Sequence, residues 1–153
     1  MHDNDVLYMK KAISLAKKAA KKDEVPVGAV LVMNDMIVAS SYNLKESHCN
    51  ALHHAEILTL NKAYKKLQTW RLQGATLYVT LEPCMMCTGA IIQSRVSRVV
   101  FGAYDPKGGS IVSNIKIDEV KGLNHSFEYC GGVLEEECSK ILKDYFKNKR
   151  IKK

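Results

Sequence analysis

The 153-residue sequence lacks the features that would divide it into several domains or place it in a membrane. No stretch approaches the roughly 18 to 20 apolar residues needed to span a bilayer. The N-terminal stretch mixes acids and lysines with its apolar residues, so it has no separate apolar core typical of a secretory signal. No Pro/Gly/Ser-rich linker, internal repeat or low-complexity tract interrupts it. We therefore predict one cytoplasmic domain over residues 1–153, large enough to bury a real core.

Cysteine is scarce and odd in number, with five residues in the chain. An odd number in a chain without a secretory signal argues against a disulfide framework, so we expect reduced thiols. Only Cys84 and Cys87 lie close together in sequence, and this spacing is typical of metal or redox chemistry.

Positive charge exceeds negative charge, with 23 Lys and Arg against 16 Asp and Glu and a net charge of +7. Most of the excess lies in a predicted basic C-terminal helix and tail at about 134–153, where residues 140–153 contain seven basic residues and one acid. Such a segment can bind a polyanion such as RNA. It can equally be a solvated tail that keeps the protein in solution, and charge alone does not decide between them.

Helical and strand patterns alternate along the chain. Apolar residues at helical spacing follow Asn4 or Asp3, either of which can cap a first helix. Further helices are predicted from about 54 to 66, just after Pro83, and from Glu135. Such alternation predicts a three-layer α/β/α sandwich with a mixed five-stranded sheet. The five strands are expected within residues 27–33, 36–41, 75–81, 97–103 and 127–134, and the stretch 103–125 has no regular pattern.

Two short segments carry residue types that bind metals and move protons: HAE at 54–56 and PCMMC at 83–87. Two cysteines three apart at a helix start present their thiols toward one point, and the helix N-terminus lowers their pKa. The imidazole of His54 would be a third ligand beside Cys84 and Cys87. Three protein ligands leave a fourth position for water, which is the arrangement of a catalytic zinc site.

Glu56 is the predicted general acid and base. Residues two apart on a regular helix point in nearly opposite directions, because a turn takes about 3.6 residues. His54 and Glu56 can therefore converge only in the first turn, where both face over the helix end. Zinc lowers the pKa of a bound water toward about 7, and a carboxylate beside it can take and return the proton.

Two other interpretations of these cysteines stay open at this point. The CxxC pair can be a thioredoxin-type redox pair, although such a pair normally follows the first strand of its fold and this one follows the third. The site can also be a closed structural zinc site, with His48, Cys49 or His53 as the fourth ligand.

The combined motifs resemble those of the zinc-dependent nucleoside and nucleobase deaminases. Within that superfamily the chain is similar to the bacterial tRNA-specific adenosine deaminases, which convert the wobble adenosine to inosine. The resemblance covers nearly the whole sequence. It includes EVPVGAVLV at 24–32, YN at 42–43, HAEI at 54–57, TLYVTLEPCMMCTGAI at 76–91, RVVFGAYDPKGG at 98–109, GLNH at 122–125 and KDYFKNKR at 143–150.

The resemblance implies a cytidine deaminase-like fold and one Zn²⁺ per chain, held by His54, Cys84 and Cys87. It implies that Glu56 moves the protons of the deamination. The partner would be a tRNA anticodon stem-loop, because the target base must be unstacked to reach the metal. The family also implies a homodimer.

Substrate-contacting residues follow from the same resemblance. Asn43 would contact the base, the backbone N–H of Ala55 would help to orient it, and Val27 and Leu81 would form apolar walls. Read without the resemblance, Asn43 is a turn residue and the two apolar residues are ordinary strand core.

Contacts to the nucleic-acid backbone are implied for Asp105 and Lys107, although Asp-Pro-Lys-Gly by itself is only a turn. Aromatic side chains among cations at the C-terminus suit the splayed bases and phosphates of an RNA loop. The residues assigned to this role are Tyr145, Phe146, Lys147, Lys149 and Arg150.

One departure from the family follows Gly109, where SIVSN replaces the small residues that usually precede a serine. Ile111 and Val112 are bulkier, which bears on the loop and on dimer packing rather than on the zinc chemistry. Two alternative functions remain: a deaminase of free guanine or cytosine bases or nucleotides, and a zinc-stabilised RNA-binding module without catalysis.

Overall fold

A computed structural model gives the fold of residues 1–151, so the last two residues of the predicted basic tail, Lys152 and Lys153, lie outside the described residues. Helices and strands alternate as the sequence predicts. The elements are α1 (Asp5–Lys21), β1 (Gly28–Met33), β2 (Met36–Tyr42), α2 (Ala55–Leu67), β3 (Thr76–Leu81), α3 (Met85–Gln93), β4 (Arg98–Ala103), β5 (Glu128–Cys130) and α4 (Glu135–Ile151).

The strands form one mixed sheet in the order β2-β1-β3-β4-β5. Helices α2 and α3 pack on one face, and α1 and α4 pack on the other. Adjacent strand residues alternate between the faces: Leu31 and Phe101 belong to the first core cluster, and Val30 and Val100 to the second. Because both faces are covered, the central strands are apolar almost throughout. The predicted three-layer sandwich with a five-stranded mixed sheet is confirmed.

Four strand ends lie along one edge of this sheet. β3 and β4 are parallel, so their carboxyl ends, at Leu81 and Ala103, lie side by side. β1 is antiparallel to β3 and β2 is antiparallel to β1, so the start of β1 at Gly28 pairs with the end of β2 at Tyr42 on the same edge. The segments that carry most of the predicted site residues adjoin these strand ends, and they therefore meet here.

The irregular stretch 103–125 contains one short 3₁₀ turn, Ile117–Glu119, and is otherwise loop beyond the end of β4. His125, near its end, lies with Nε2 2.8 Å from the carbonyl oxygen of Val96. No helix within residues 1–151 is long and apolar enough to cross a membrane.

The start of α1 differs from the prediction. Asn4 occupies the N-cap position, but its side chain makes no capping hydrogen bond, so the predicted side-chain cap is wrong. The neighbouring Asp5 is fully buried instead, and its carboxylate accepts two hydrogen bonds of 2.8 Å from Arg98 and one of 2.8 Å from Tyr78. This buried ion pair fixes α1 to the middle of the sheet.

Burial by itself raises the pKa of Asp5, but hydrogen bonds from Arg98, His2 and Tyr78 outweigh it and lower the pKa from 3.8 to about 2. The carboxylate is therefore ionised in the folded protein at all but very acid pH.

Replacing Asp5→Asn should lower the free energy of unfolding by about 3 kcal/mol near pH 7, because Arg98 would keep a buried charge without its partner. Since the folded-state pKa is depressed, this contribution is complete above about pH 4 and is lost as the pH falls toward about 2. Urea unfolding of both proteins over this range measures the difference. A gap that does not narrow on acidification would contradict the assignment.

Candidate metal centre and active-site pocket

The two predicted chemical motifs meet at the N-termini of two helices. His54 is the N-cap residue of α2, Cys84 is the N-cap residue of α3, and Cys87 lies in the first turn of α3. The Nδ1 atom of His54 is 3.7 Å from the Sγ of Cys84 and 3.6 Å from the Sγ of Cys87. The three ligand atoms all lie within 4.8 Å of one another.

These distances fit a tetrahedral ion held by nitrogen and sulfur, whose ligand atoms stand about 3.6 Å apart for bonds of about 2.0 and 2.3 Å. Among residues 1–151, no other histidine, cysteine, aspartate or glutamate joins this group. His48 and His53 contact each other instead, with their Nδ1 atoms 2.8 Å apart, and Cys49 is exposed. The arrangement therefore favours a site with three protein ligands over the closed structural site.

The thiols differ in their readiness to ionise. A hydrogen bond from Cys87, assisted by one from His54, lowers the pKa of Cys84 to about 4. The same bond raises the pKa of Cys87, and the contact with Cys84 raises the pKa of His54. Cys84 thus presents a thiolate, which is the form that binds metals.

Glu56 lies in the first turn of α2, two residues after His54, as convergence of the two side chains requires. Its side chain is buried, and this burial raises its pKa from 4.5 to about 7. A carboxyl group with such a pKa can both accept and donate a proton near neutral pH.

A pocket of about 200 Å³ opens beside the ligand group. Ligand sites for drug-sized molecules usually exceed about 300 Å³, so this space suits a smaller ring system. The pocket is lined by two of the three candidate metal ligands and by most of the residues predicted to contact the substrate. Lys107 is exposed and does not line the pocket. The lining residues named in the sequence prediction are Val27, Asn43, His54, Ala55, Glu56, Leu81, Cys84 and Asp105.

Asn43 is placed both as a pocket residue and as a turn residue, the two roles that the sequence left open. It lines the pocket and is 8% exposed. Its amide also shapes the loop, because Nδ2 donates to the carbonyl of Val25 at 3.2 Å and Oδ1 accepts from the N–H of Lys45 at 3.1 Å. The side chain is therefore held in place at the pocket wall by its own turn.

Two buried glutamates at this edge were not predicted from the sequence. Glu24 accepts hydrogen bonds from the N–H groups of Glu46 and Ser47 and from the Ser47 hydroxyl, which fixes the loop after Asn43. Glu82, directly after β3, binds the loop that follows β4. Burial raises the pKa of Glu82, but hydrogen bonds from that loop outweigh it and hold the pKa below its usual range. The sequence signal for Glu82 is an acidic residue directly after an apolar strand. A carboxylate buried there needs hydrogen-bond donors, so it indicates a nearby loop that supplies them.

The predicted RNA-binding residues of α4 differ in what they contact. Tyr145 donates a hydrogen bond to the carbonyl of Asp23 at 3.1 Å, and Lys149 forms an ion pair of 2.8 Å with the Asp23 carboxylate. Phe146 is 43% exposed and lines a groove of about 690 Å³. Lys147 and Arg150 are exposed and do not line it.

This groove, which we call the α4 groove, adjoins the pocket beside the ligand group. Val25, Asn43 and Lys45 line both spaces. The contacts of Tyr145 and Lys149 with Asp23 hold the C-terminal helix next to the pocket.

The bulkier residues after Gly109 are accommodated in the fold. Ile111 is completely buried and packs in the core cluster beneath α2 and α3, and Val112 packs against that cluster.

Comparison with known proteins agrees with this geometry. The MafB19-like deaminase family matches residues 3–150. A tRNA-specific adenosine deaminase of Bacillus subtilis is 54% identical over 149 residues, which cover 97% of this chain and 92% of that protein. The chain belongs to the MafB19-like deaminase family.

Solved structures extend the comparison. A tRNA:A34 deaminase, studied for A-to-I editing at the wobble position of transfer RNA, superposes with a TM-score of 0.86 at 40% identity, covering 89% of this chain and 99% of its own. A guanine deaminase from Nitrosomonas europaea superposes with a TM-score of 0.77 at 23% identity, covering 92% of this chain and 83% of its own. The second likeness concerns the fold alone, so the fold is shared by deaminases of different substrates.

Cys87→Ser should reduce the bound metal from about one ion per chain to a small fraction, because one of three protein ligands is lost. Cys49→Ser is the matched control, since Cys49 is an exposed thiol outside the ligand group. Metal analysis of the purified proteins gives the answer. Equal loss of metal in both variants would mean that Cys49 is a fourth ligand.

Proposed function

We propose that this protein is a zinc-dependent hydrolase that deaminates adenosine to inosine at the wobble position of a tRNA anticodon loop. The observation that carries the proposal is the buried Glu56 beside the His54–Cys84–Cys87 group in the wall of a small pocket. The 54% identity with the Bacillus subtilis enzyme, over nearly the whole of both chains, supports tRNA as the substrate.

His54, Cys84 and Cys87 would hold one Zn²⁺ per chain, because a set of one imidazole and two thiolates suits this ion. Zinc held there would supply Lewis acidity, which activates water for attack near neutral pH.

Glu56 would move the protons of the reaction. Its carboxylate accepts a proton from the attacking water and gives it to N1 of the adenine ring. The second water proton then passes to the amino group at C6, which leaves as ammonia while C6 keeps the water oxygen as the carbonyl of inosine. Because the pKa of Glu56 is raised to about 7, both of its forms are accessible during this sequence.

The base would be held by groups of the pocket wall. The N–H of Ala55 opens α2, where backbone amides have no partner within the helix, and it can donate to the base. Asn43 is held in place by its own turn and would contact the base edge, while Val27 and Leu81 would pack against the ring.

The RNA would continue from the pocket along the α4 groove. A base inside the pocket must leave the stack, so a single-stranded loop is the suitable substrate. Phe146 offers a ring for stacking a neighbouring base, and Lys107, Lys147, Lys149 and Arg150 offer positive charge to phosphates. Tyr145 would act mainly by anchoring α4 to Asp23.

We also propose that residues 1–153 act as a single deaminase domain in a cytoplasmic homodimer. The family match over residues 3–150 supports the first point, and a tRNA substrate supports the location. Exposed apolar side chains beside the site, Leu52 and Met85, offer surface for a second subunit.

Purified protein should convert adenosine to inosine in an anticodon stem-loop, and Glu56→Gln should lower the rate by about a thousandfold because the proton carrier is lost. The metal content should stay the same. Inosine formation is measured by mass spectrometry of the digested RNA, with the exposed Glu119→Gln as a control of unchanged rate.

Two outcomes would overturn the proposal. Activity on free guanine or cytosine without activity on the stem-loop would favour the free-base deaminase. Tight binding of the stem-loop without any deamination would favour the RNA-binding module.

A further inference from the structure

Glu82 joins two parts of the candidate site that are far apart in sequence. It follows the pocket-wall residue Leu81 and comes two positions before the ligand Cys84. Its side chain is 2% exposed, yet no salt bridge involves it among residues 1–151. A buried carboxylate without a cation has to be stabilised by hydrogen-bond donors, and the identity of those donors indicates its role.

Within residues 1–151, five donors bind the Glu82 side chain, and all of them belong to residues 105–113, which we call the Asp105 loop. Four are backbone N–H groups, at distances of 2.8 to 3.1 Å, and the fifth is a hydroxyl. Converging N–H groups of this kind form a concavity that binds an anion. They belong to Asp105, Ile111, Val112 and Ser113, and the hydroxyl is that of Ser113.

The loop is wrapped closely around this carboxylate. A Cβ atom on Gly109 would lie 2.4 Å from the Glu82 carboxylate and 2.6 Å from the carbonyl oxygen of Asp105, so only glycine fits there. The N–H of Ser110 also donates to the carbonyl of Pro83 at 2.8 Å. The Asp105 loop is thus tied to the same turn that carries Cys84.

The contact with Glu82 also fixes the end of the Asp105 loop that faces the pocket. Asp105 lines the pocket, its N–H binds Glu82 at 3.1 Å, and its Oδ1 accepts from the N–H of Lys107 at 3.1 Å. The position of Asp105 and Lys107 relative to the ligand group therefore depends on the Glu82 carboxylate.

We propose that Glu82 is a positioning residue, which acts through the Asp105 loop to hold Asp105 and Lys107 against the RNA backbone next to the target base. This inference rests on the proposed function, because it assumes an RNA substrate at the pocket. Glu82 itself carries no proton and binds no metal in this account.

Glu82→Gln tests it directly, since the amide keeps the shape but can accept at only one of its two positions. KM for the anticodon stem-loop should rise about tenfold while kcat stays within about threefold, because the loop positions substrate and Glu56 is untouched. Metal content should not change. Asp5→Asn is the matched control: it makes the same chemical change at another buried carboxylate, away from the site, and should leave KM and kcat unchanged.

A double-mutant cycle with Lys107→Ala shows whether Glu82 acts through the loop. If it does, Glu82→Gln should raise KM far less once Lys107 is absent, because the group that it positions is gone. Full additivity of the two changes would overturn the inference, and so would a fall in kcat with KM unchanged.

Ser113→Ala is a second variant that removes one hydrogen bond and keeps the charge, in case Glu82→Gln does not fold. It should raise KM about threefold in the same direction. An unchanged KM in Ser113→Ala, with wild-type protein active on the stem-loop, would overturn the role of Glu82 and leave the proposed function intact. Wild-type protein without stem-loop activity would overturn the proposed function itself.

Discussion

The N-termini of α2 and α3 meet at the edge of the sheet with His54 and Cys84 as their N-cap residues, and the ligand group and the position of Glu56 depend on that meeting. Both helices direct backbone N–H groups that have no carbonyl partner within the helix, and the positive ends of their dipoles, toward the same point. A helix N-terminus favours a thiolate, and the pKa of Cys84 is lowered to about 4. The helix start also places Glu56 beside the ligand group, because only in the first turn of a helix can residues two apart face the same space.

The ends of the strands place the segments of the site next to one another, and two buried carboxylates hold the loops among them. The parallel pair β3 and β4 puts the ligand turn beside the Asp105 loop, and the antiparallel β1 and β2 bring in Asn43. Such loops have no regular pattern of backbone hydrogen bonds to hold them in place. Glu24 holds the loop after Asn43 and Glu82 holds the Asp105 loop, so side-chain acceptors replace the missing backbone partners.

The layers and the two motifs that meet at the ligand group could be predicted from local patterns, because spacing within a few residues decides each of them. The contacts that the sequence did not predict all involve partners remote in sequence. Asp5 pairs with Arg98 across 93 positions, a contact that the local pattern at the start of α1 does not mark. Lys149 forms an ion pair with Asp23 across 126 positions, a contact that no local pattern marks. The donors to Glu82 are backbone N–H groups, which every sequence has and no motif marks.

X-ray absorption at the zinc edge of the metal-loaded protein tests the three-ligand site most directly. We expect two sulfur atoms at about 2.3 Å, the scattering of one imidazole, and one further light atom at about 2.0 Å that belongs to water. A third sulfur atom, or the scattering of two imidazoles, would mean a fourth protein ligand from Cys49, His48 or His53. Such a closed site would leave no position for water and would contradict hydrolytic deamination at this centre.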